Sequence, residues 1–191
     1  EGWVAAQSGA ATGEGPRGNV IIHSFGPAGK LCAWAARQAG LQYLILEMNP
    51  DTVHRCAKAG EPIYYGDAIH GSLLEHYGIH TAKALIIAIS DPVAVYGITQ
   101  TARQLNEKLH IIARTRYQAE VDDLRKEGAD EVVAEEFESA IEIFTRLLAF
   151  SLVPRNQITH LVEEVRAHNY EALRDLAGSD SGMVALRKHM P

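Results

Sequence analysis

Val20-Ile21-Ile22-His23-Ser24-Phe25-Gly26-Pro27-Ala28-Gly29 is the stretch on which the fold of this chain turns. A β-branched run meets a cluster of small residues, Gly and Pro, and residues 30–39 then read as a helix that Gly40 ends. Strand, tight turn and helix in that order form the opening unit of a parallel α/β sheet.

Working outward, the unit repeats. Tyr43-Leu44-Ile45-Leu46 is a second apolar strand closed by Glu47. Asn49-Pro50-Asp51 opens a helix with Pro near its first position, and Gly60 closes it. Residues 62–65 form a third strand, followed by Gly66-Asp67 and a short helix around Leu73-Leu74 that stops near Gly78. Residues 84–89 form a fourth strand, and Asp91-Pro92 caps a helix to about Leu105. A fifth strand at 110–113 ends at Arg114, residues 118–126 read as a helix, and residues 130–134 form a sixth strand. The strands are continuous apolar runs, as burial on both faces requires. The expected fold is an α/β, Rossmann-like, doubly wound parallel sheet of six strands in the order 3-2-1-4-5-6.

The ends of the chain behave differently. Residues 1–18 lack periodicity and read as a flexible linker or scar. Residues 19–135 carry the sheet. Residues 136–191 are a helical tail, with one long helix at 137–152 and an amphipathic one from about 155 to 176. Ile141, Phe144, Leu147, Leu148 and Phe150 stripe the first; Ile158, Leu161, Val162, Val165 and Leu173 stripe the second. Apolar stripes beyond a finished sheet need a surface to bury them, and a second subunit would supply one. No apolar run reaches the ~18 residues that cross a bilayer. The first residue is Glu1, not Met, as in a piece excised from a longer protein.

Composition narrows the function. A net charge of −6 without a local Lys/Arg cluster argues against a nucleic-acid partner. Two cysteines, Cys32 and Cys56, exclude a disulfide framework, and on their helices they read as apolar packing. His70, His76 and His80 lie near one another in sequence, but Gly78 interrupts a shared helical face, so surface histidines are expected and no metal.

Ligands of such sheets sit at the carboxyl ends of the strands, where the order reverses. There the turn Ser24-Phe25-Gly26-Pro27-Ala28-Gly29 keeps the second and third glycines of the dinucleotide fingerprint and replaces the first by Ser24. The second glycine admits a phosphate, and the helix N-terminus behind it offers N–H groups and a positive dipole end. A P-loop is excluded, since only two residues separate Gly26 from Gly29 and Leu31 follows Lys30. Glu47, eighteen residues beyond Gly29, suits ribose hydroxyls and repels a 2′-phosphate. Asp67 reads either as an adenine contact or as the N-cap of the next helix. Ser90 is available to a ligand beside the cap Asp91. Arg114 and Arg116 are candidate phosphate partners, or structural partners of Glu135 or Glu136. A dehydrogenase would need a substrate domain and an acid/base group, and two helices are all that follow the sixth strand. An NAD-dependent oxidoreductase and a ligand-free Rossmann dimerisation module are the alternatives to a ligand-sensing domain.

Residues 20–150 resemble the regulator-of-potassium-conductance domain (RCK, KTN or TrkA-N), and most of all the cytosolic domain of Kef-type monovalent cation:proton antiporters. The resemblance rests on Val20-Ile21-Ile22-His23-Ser24-Phe25-Gly26, Tyr64-Tyr65-Gly66-Asp67-Ala68, residues 84–91, Ile111-Ile112-Ala113-Arg114-Thr115-Arg116 and Gly128-Ala129-Asp130-Glu131-Val132-Val133. It implies a homodimeric regulatory domain, not an enzyme, that binds AMP, ADP, ATP or NAD(H) and gates potassium or cation transport. It further implies a long helix from Phe137 crossing to the partner, and a membrane-embedded transport domain N-terminal to this segment. The location implied is the cytoplasmic side of an inner or plasma membrane. Carried over by position, the ligand residues are Phe25, Gly26, Pro27, Ala28, Glu47, Met48, Asp67, Ala68, Ser90 and Arg114, with none catalytic. Many relatives have Gly at position 24 and Arg at position 27; Pro27 removes a phosphate contact and tilts the expectation toward a monophosphate such as AMP.

Overall fold

The structure is a computed structural model that describes residues 18–166. All of the expected linker at 1–18 except Gly18, and the end of the second tail helix with Leu173, lie outside the described residues.

Six strands form one sheet in the order β3-β2-β1-β4-β5-β6. They are β1 (Val20–His23), β2 (Tyr43–Glu47), β3 (Ile63–Tyr65), β4 (Ala84–Ile87), β5 (His110–Thr115) and β6 (Glu131–Ala134). β1 pairs parallel with β2 and β4, which places Ile22 opposite Ile45 and Ile86. The order reverses between β1 and β4, so the strand ends there open the crevice that the fold provides for ligands. The intervening helices are α1 (Pro27–Gln38), α2 (Pro50–Lys58), α3 (Gly71–His76), α4 (Pro92–Leu105) and α5 (Val121–Lys126).

Local chemistry explains the boundaries. α1, α2 and α4 each begin on Pro, whose fixed φ suits the first helical position. Asn49 caps α2 through the Thr52 amide, and Asp91 caps α4 through the Ala94 amide. α1 therefore starts at Pro27, not at Lys30. β4 ends at Ile87, two residues earlier than its apolar run, and β5 continues to Thr115, so Arg114 lies within a strand and not after one.

One side of the sheet packs Ile22, Ile45 and Ile63 against Ala33 of α1 and Val53 of α2. Cys32 and Cys56 are half-buried at the margin of this cluster, both as free thiols. Burial pushes the Cys32 thiol up.

The chain divides into two compact units: the first runs through Thr115 and resumes over Ala119–Val133, and the second holds Arg116–Gln118 and the chain from Ala134. The second unit contains α6 (Glu135–Phe150) and α7 (Arg155–Arg166). An Arg166–Glu138 ion pair links these two helices. Ile143, Leu147 and Phe150 of α6 are 70%, 60% and 87% exposed. No helix among the described residues is long and apolar enough to cross a membrane.

Candidate functional site

The site is assembled around the turn between β1 and α1. The Ser24 amide donates to the Leu46 carbonyl at 2.8 Å, which ties the turn to β2. Ser24 takes φ +79°, the left-handed region that disfavours a side chain by roughly 1–2 kcal/mol. The glycine of the usual fingerprint avoids that cost.

The two remaining glycines are demanded by different things. A Cβ on Gly29 would fall 2.0 Å from the Ser24 carbonyl oxygen, so the approach of α1 to the turn excludes any side chain. Gly26 has φ −68° and ψ −171°, which any residue adopts. A Cβ there would meet only Ser24 Oγ, at 3.8 Å. Sterics do not demand glycine at 26, and its bare backbone stands open beside the helix N-terminus.

Glu47 reaches back to this turn from the end of β2. Its Oε2 accepts the Phe25 amide at 2.7 Å and its Oε1 accepts the Asn49 amide at 2.8 Å. One lone pair on each oxygen remains for ribose hydroxyls. Among the turn's own donors, the Phe25 amide is thus committed and Pro27 has none. The Gly26 amide makes only a long 3.4 Å contact with Ser24 Oγ. Ala28 and Gly29, in the first turn of α1, have amides with no intrahelical acceptor. That donor set fits a single phosphate on the helix N-terminus. Lys30 Nζ stands 5.7 Å from the centre of the Phe25 ring. The P-loop spacing that excludes Lys30 as a phosphate lysine says nothing of this position beside the turn.

Asp67 is not the N-cap of α3, which starts at Gly71 with His70 at the cap position. Its Oδ1 accepts the Ile69 amide at 3.0 Å in a local turn, leaving Oδ2 to serve a ligand. Ala68 is fully buried, backbone included, beneath this turn. Met48 is exposed beside Glu47. Arg114 is half-buried and donates to the Ala88 carbonyl at 3.0 Å, just past the end of β4. Ser90 instead lines a cavity of about 190 Å³ with Pro92, Tyr96, Thr115 and Glu120, on the β4–β5 side of the crevice.

His23, the last residue of β1, is 2% exposed, and its Nδ1 has no hydrogen-bond partner. Burial pushes this imidazole below its ordinary range, while the Asp67 and then the Glu47 carboxylates pull the other way. Its position at a strand end gave no sign that it would be enclosed. His80 is engaged elsewhere, through Nδ1 to the Leu105 carbonyl at 2.8 Å.

The family model described as the TrkA-N domain matches residues 20–135. The chain is 30% identical over 156 residues to a putative K(+) efflux antiporter, KefB, of Alkalimonas amylolytica, covering 82% of this chain and 24% of that protein. It is similar to the AMP-bound Kef CTD of Shewanella denitrificans at 25% identity and TM-score 0.67, over 83% of this chain and 96% of that one. The NAD-bound GsuK channel, at 19% identity and TM-score 0.60, covers 76% of this chain and 26% of that one and shares the fold. This chain spans about a quarter of the length of the curated relatives it matches.

Proposed function

The chain belongs to the TrkA-N domain family, and from that premise we propose that it is a nucleotide-sensing regulatory domain of a Kef-type potassium or cation antiporter. It acts by binding and shape change, not by catalysis. The observation that supports this reading is the contrast between Gly29, where close packing excludes a side chain, and Gly26, whose bare backbone is left open at the helix N-terminus.

In the proposal the phosphate rests on Gly26, Ala28 and Gly29, with Lys30 beside the turn and the Phe25 and Pro27 side chains bounding it. Glu47 takes the ribose hydroxyls, with Met48 at the rim. The adenine lies against Asp67, above the buried Ala68. Ser90 and Arg114 serve a second phosphate or a second nucleotide half. Two uncommitted helix amides favour AMP over ADP, ATP or NAD(H), and the AMP-bound relative supports AMP as a ligand.

The exposed stripe of α6 supports homodimerisation through that helix. The domain division proposed is a linker at 1–18, the nucleotide domain at 19–135, and crossover helix with extension at 136–191. The Kef relatives support placing this domain on the cytoplasmic side of a membrane, joined through residues 1–18 to a transport domain. Ligand affinity that differs between two dimer geometries would then bias transport.

Calorimetric titration of the 191-residue chain with AMP, ADP, ATP, NAD and NADH tests the reading. Saturable binding, tightest for AMP, is expected. No binding of any of the five at millimolar concentration overturns it.

A further inference from the structure

His23 is the one buried ionisable side chain among the described residues whose ring nitrogen is enclosed without a partner. Its backbone is clamped in the middle of the sheet: Leu46 of β2 and Ile87 of β4 flank it in register, and its carbonyl accepts the Ala88 amide at 3.1 Å. Ile22 packs toward α1 and α2, so strand alternation turns the His23 ring to the opposite face. The next residue in the chain, Ser24, begins the phosphate turn. The charged groups that act on the ring are Asp67, from the segment after β3, and Glu47, from the end of β2; β4 presents only apolar Ile87.

Nδ1 has no hydrogen-bond partner opposite it in either protonation state, so the balance between the two states is set by burial and by the neighbouring charges. Protonation would be favoured by the two carboxylates and opposed by burial. An anion arriving on the turn changes only one side of that balance. The ring is already shut off from water, so a ligand adds little further desolvation, whereas a phosphate adds negative charge in a poorly screened setting.

We propose that His23 couples the nucleotide site to protons: the buried imidazole takes up a proton as a phosphate settles on the adjoining turn, so acidification tightens nucleotide binding. This rests on the nucleotide reading above and adds a regulatory input to it. Linkage makes the effect reciprocal, and an upward shift of one pH unit in the His23 titration corresponds to about a tenfold tightening between the high- and low-pH limits.

The test titrates the full 191-residue chain with AMP between pH 5.0 and 7.5, beside His23→Ala and the non-titrating, polar His23→Asn. AMP's own phosphate protonates over this range in all three experiments and cancels in the wild-type-to-variant affinity ratio. That ratio should rise several-fold toward low pH. In parallel, NMR follows the His23 ring proton through the same titration with and without AMP, and its midpoint should move upward on binding. AMP that perturbs the Gly26, Ala28 and Gly29 amides while leaving the His23 midpoint in place overturns this inference and keeps the nucleotide reading. AMP that perturbs none of those amides overturns both. If one variant fails to fold, the other and the wild-type ring titration decide.

Discussion

The backbone amide of Phe25 donates to Glu47 Oε2 at 2.7 Å, across twenty-two positions of sequence. The carboxylate assigned to the ribose is therefore also the group that holds the phosphate turn against the end of β2. Binding and turn geometry share one side chain. Glu47→Ala should cost about 1–2 kcal/mol of stability and weaken AMP by about 1–3 kcal/mol. Glu47→Gln keeps one carbonyl acceptor and should lose less stability than affinity. Urea unfolding with calorimetry separates the two effects, and unchanged affinity in Glu47→Ala would remove Glu47 from the site.

The two glycines of the turn should respond in opposite ways. Gly29→Ala places a methyl 2.0 Å from a backbone oxygen and should destabilise the fold by more than about 3 kcal/mol. Gly26→Ala meets only a 3.8 Å neighbour and should cost within about 1 kcal/mol as a poorer N-cap, yet abolish detectable AMP binding. A Gly26→Ala protein that binds AMP normally contradicts the phosphate position.

Ser24 carries a side chain at φ +79°. Ser24→Gly should stabilise the protein by roughly 1 kcal/mol through relief of that strain. It should also tighten AMP modestly, since the Gly26 amide loses its 3.4 Å hydroxyl neighbour. Thermal unfolding with and without AMP reads both, and a lower midpoint in the variant would count against the strain assignment.

Burial of His23 has a consequence for the ligand-free protein. Its folded-state titration lies below the unfolded value of about 6.5. As pH falls through that value the unfolded chain binds a proton that the folded chain refuses, so stability drops with acidity. His23→Ala should show a smaller loss between pH 7.5 and 5.5 than wild type by urea unfolding. Equal losses would show that the ring titrates normally.

Ile143 and Leu147 present an apolar stripe on α6 that is mostly exposed. Ile143→Asp with Leu147→Asp should convert a dimer to a monomer in sedimentation velocity, with the far-ultraviolet spectrum retained. A wild-type chain that sediments as a monomer at high micromolar concentration would reject the dimer through this helix.

The sheet was legible in the sequence because its signals are local. Apolar runs, helices closed by Gly, and prolines at 50 and 92 act through sterics that reach only a few residues. The spacing of Gly26, Gly29 and Glu47 likewise placed them at the carboxyl ends of β1 and β2. What tertiary structure decided was which groups are already spoken for. Asp67 went to a local turn and not to a helix cap, because α3 begins three residues later than that cap would require. β5 ran on through Arg114 to Thr115, past the apolar run that marked it. Glu47 closed on Phe25, and His23 was sealed between Leu46 and Ile87, only once three strands lay side by side. Burial and hydrogen-bond commitment are properties of neighbours brought from distant sequence, and no local pattern encodes them.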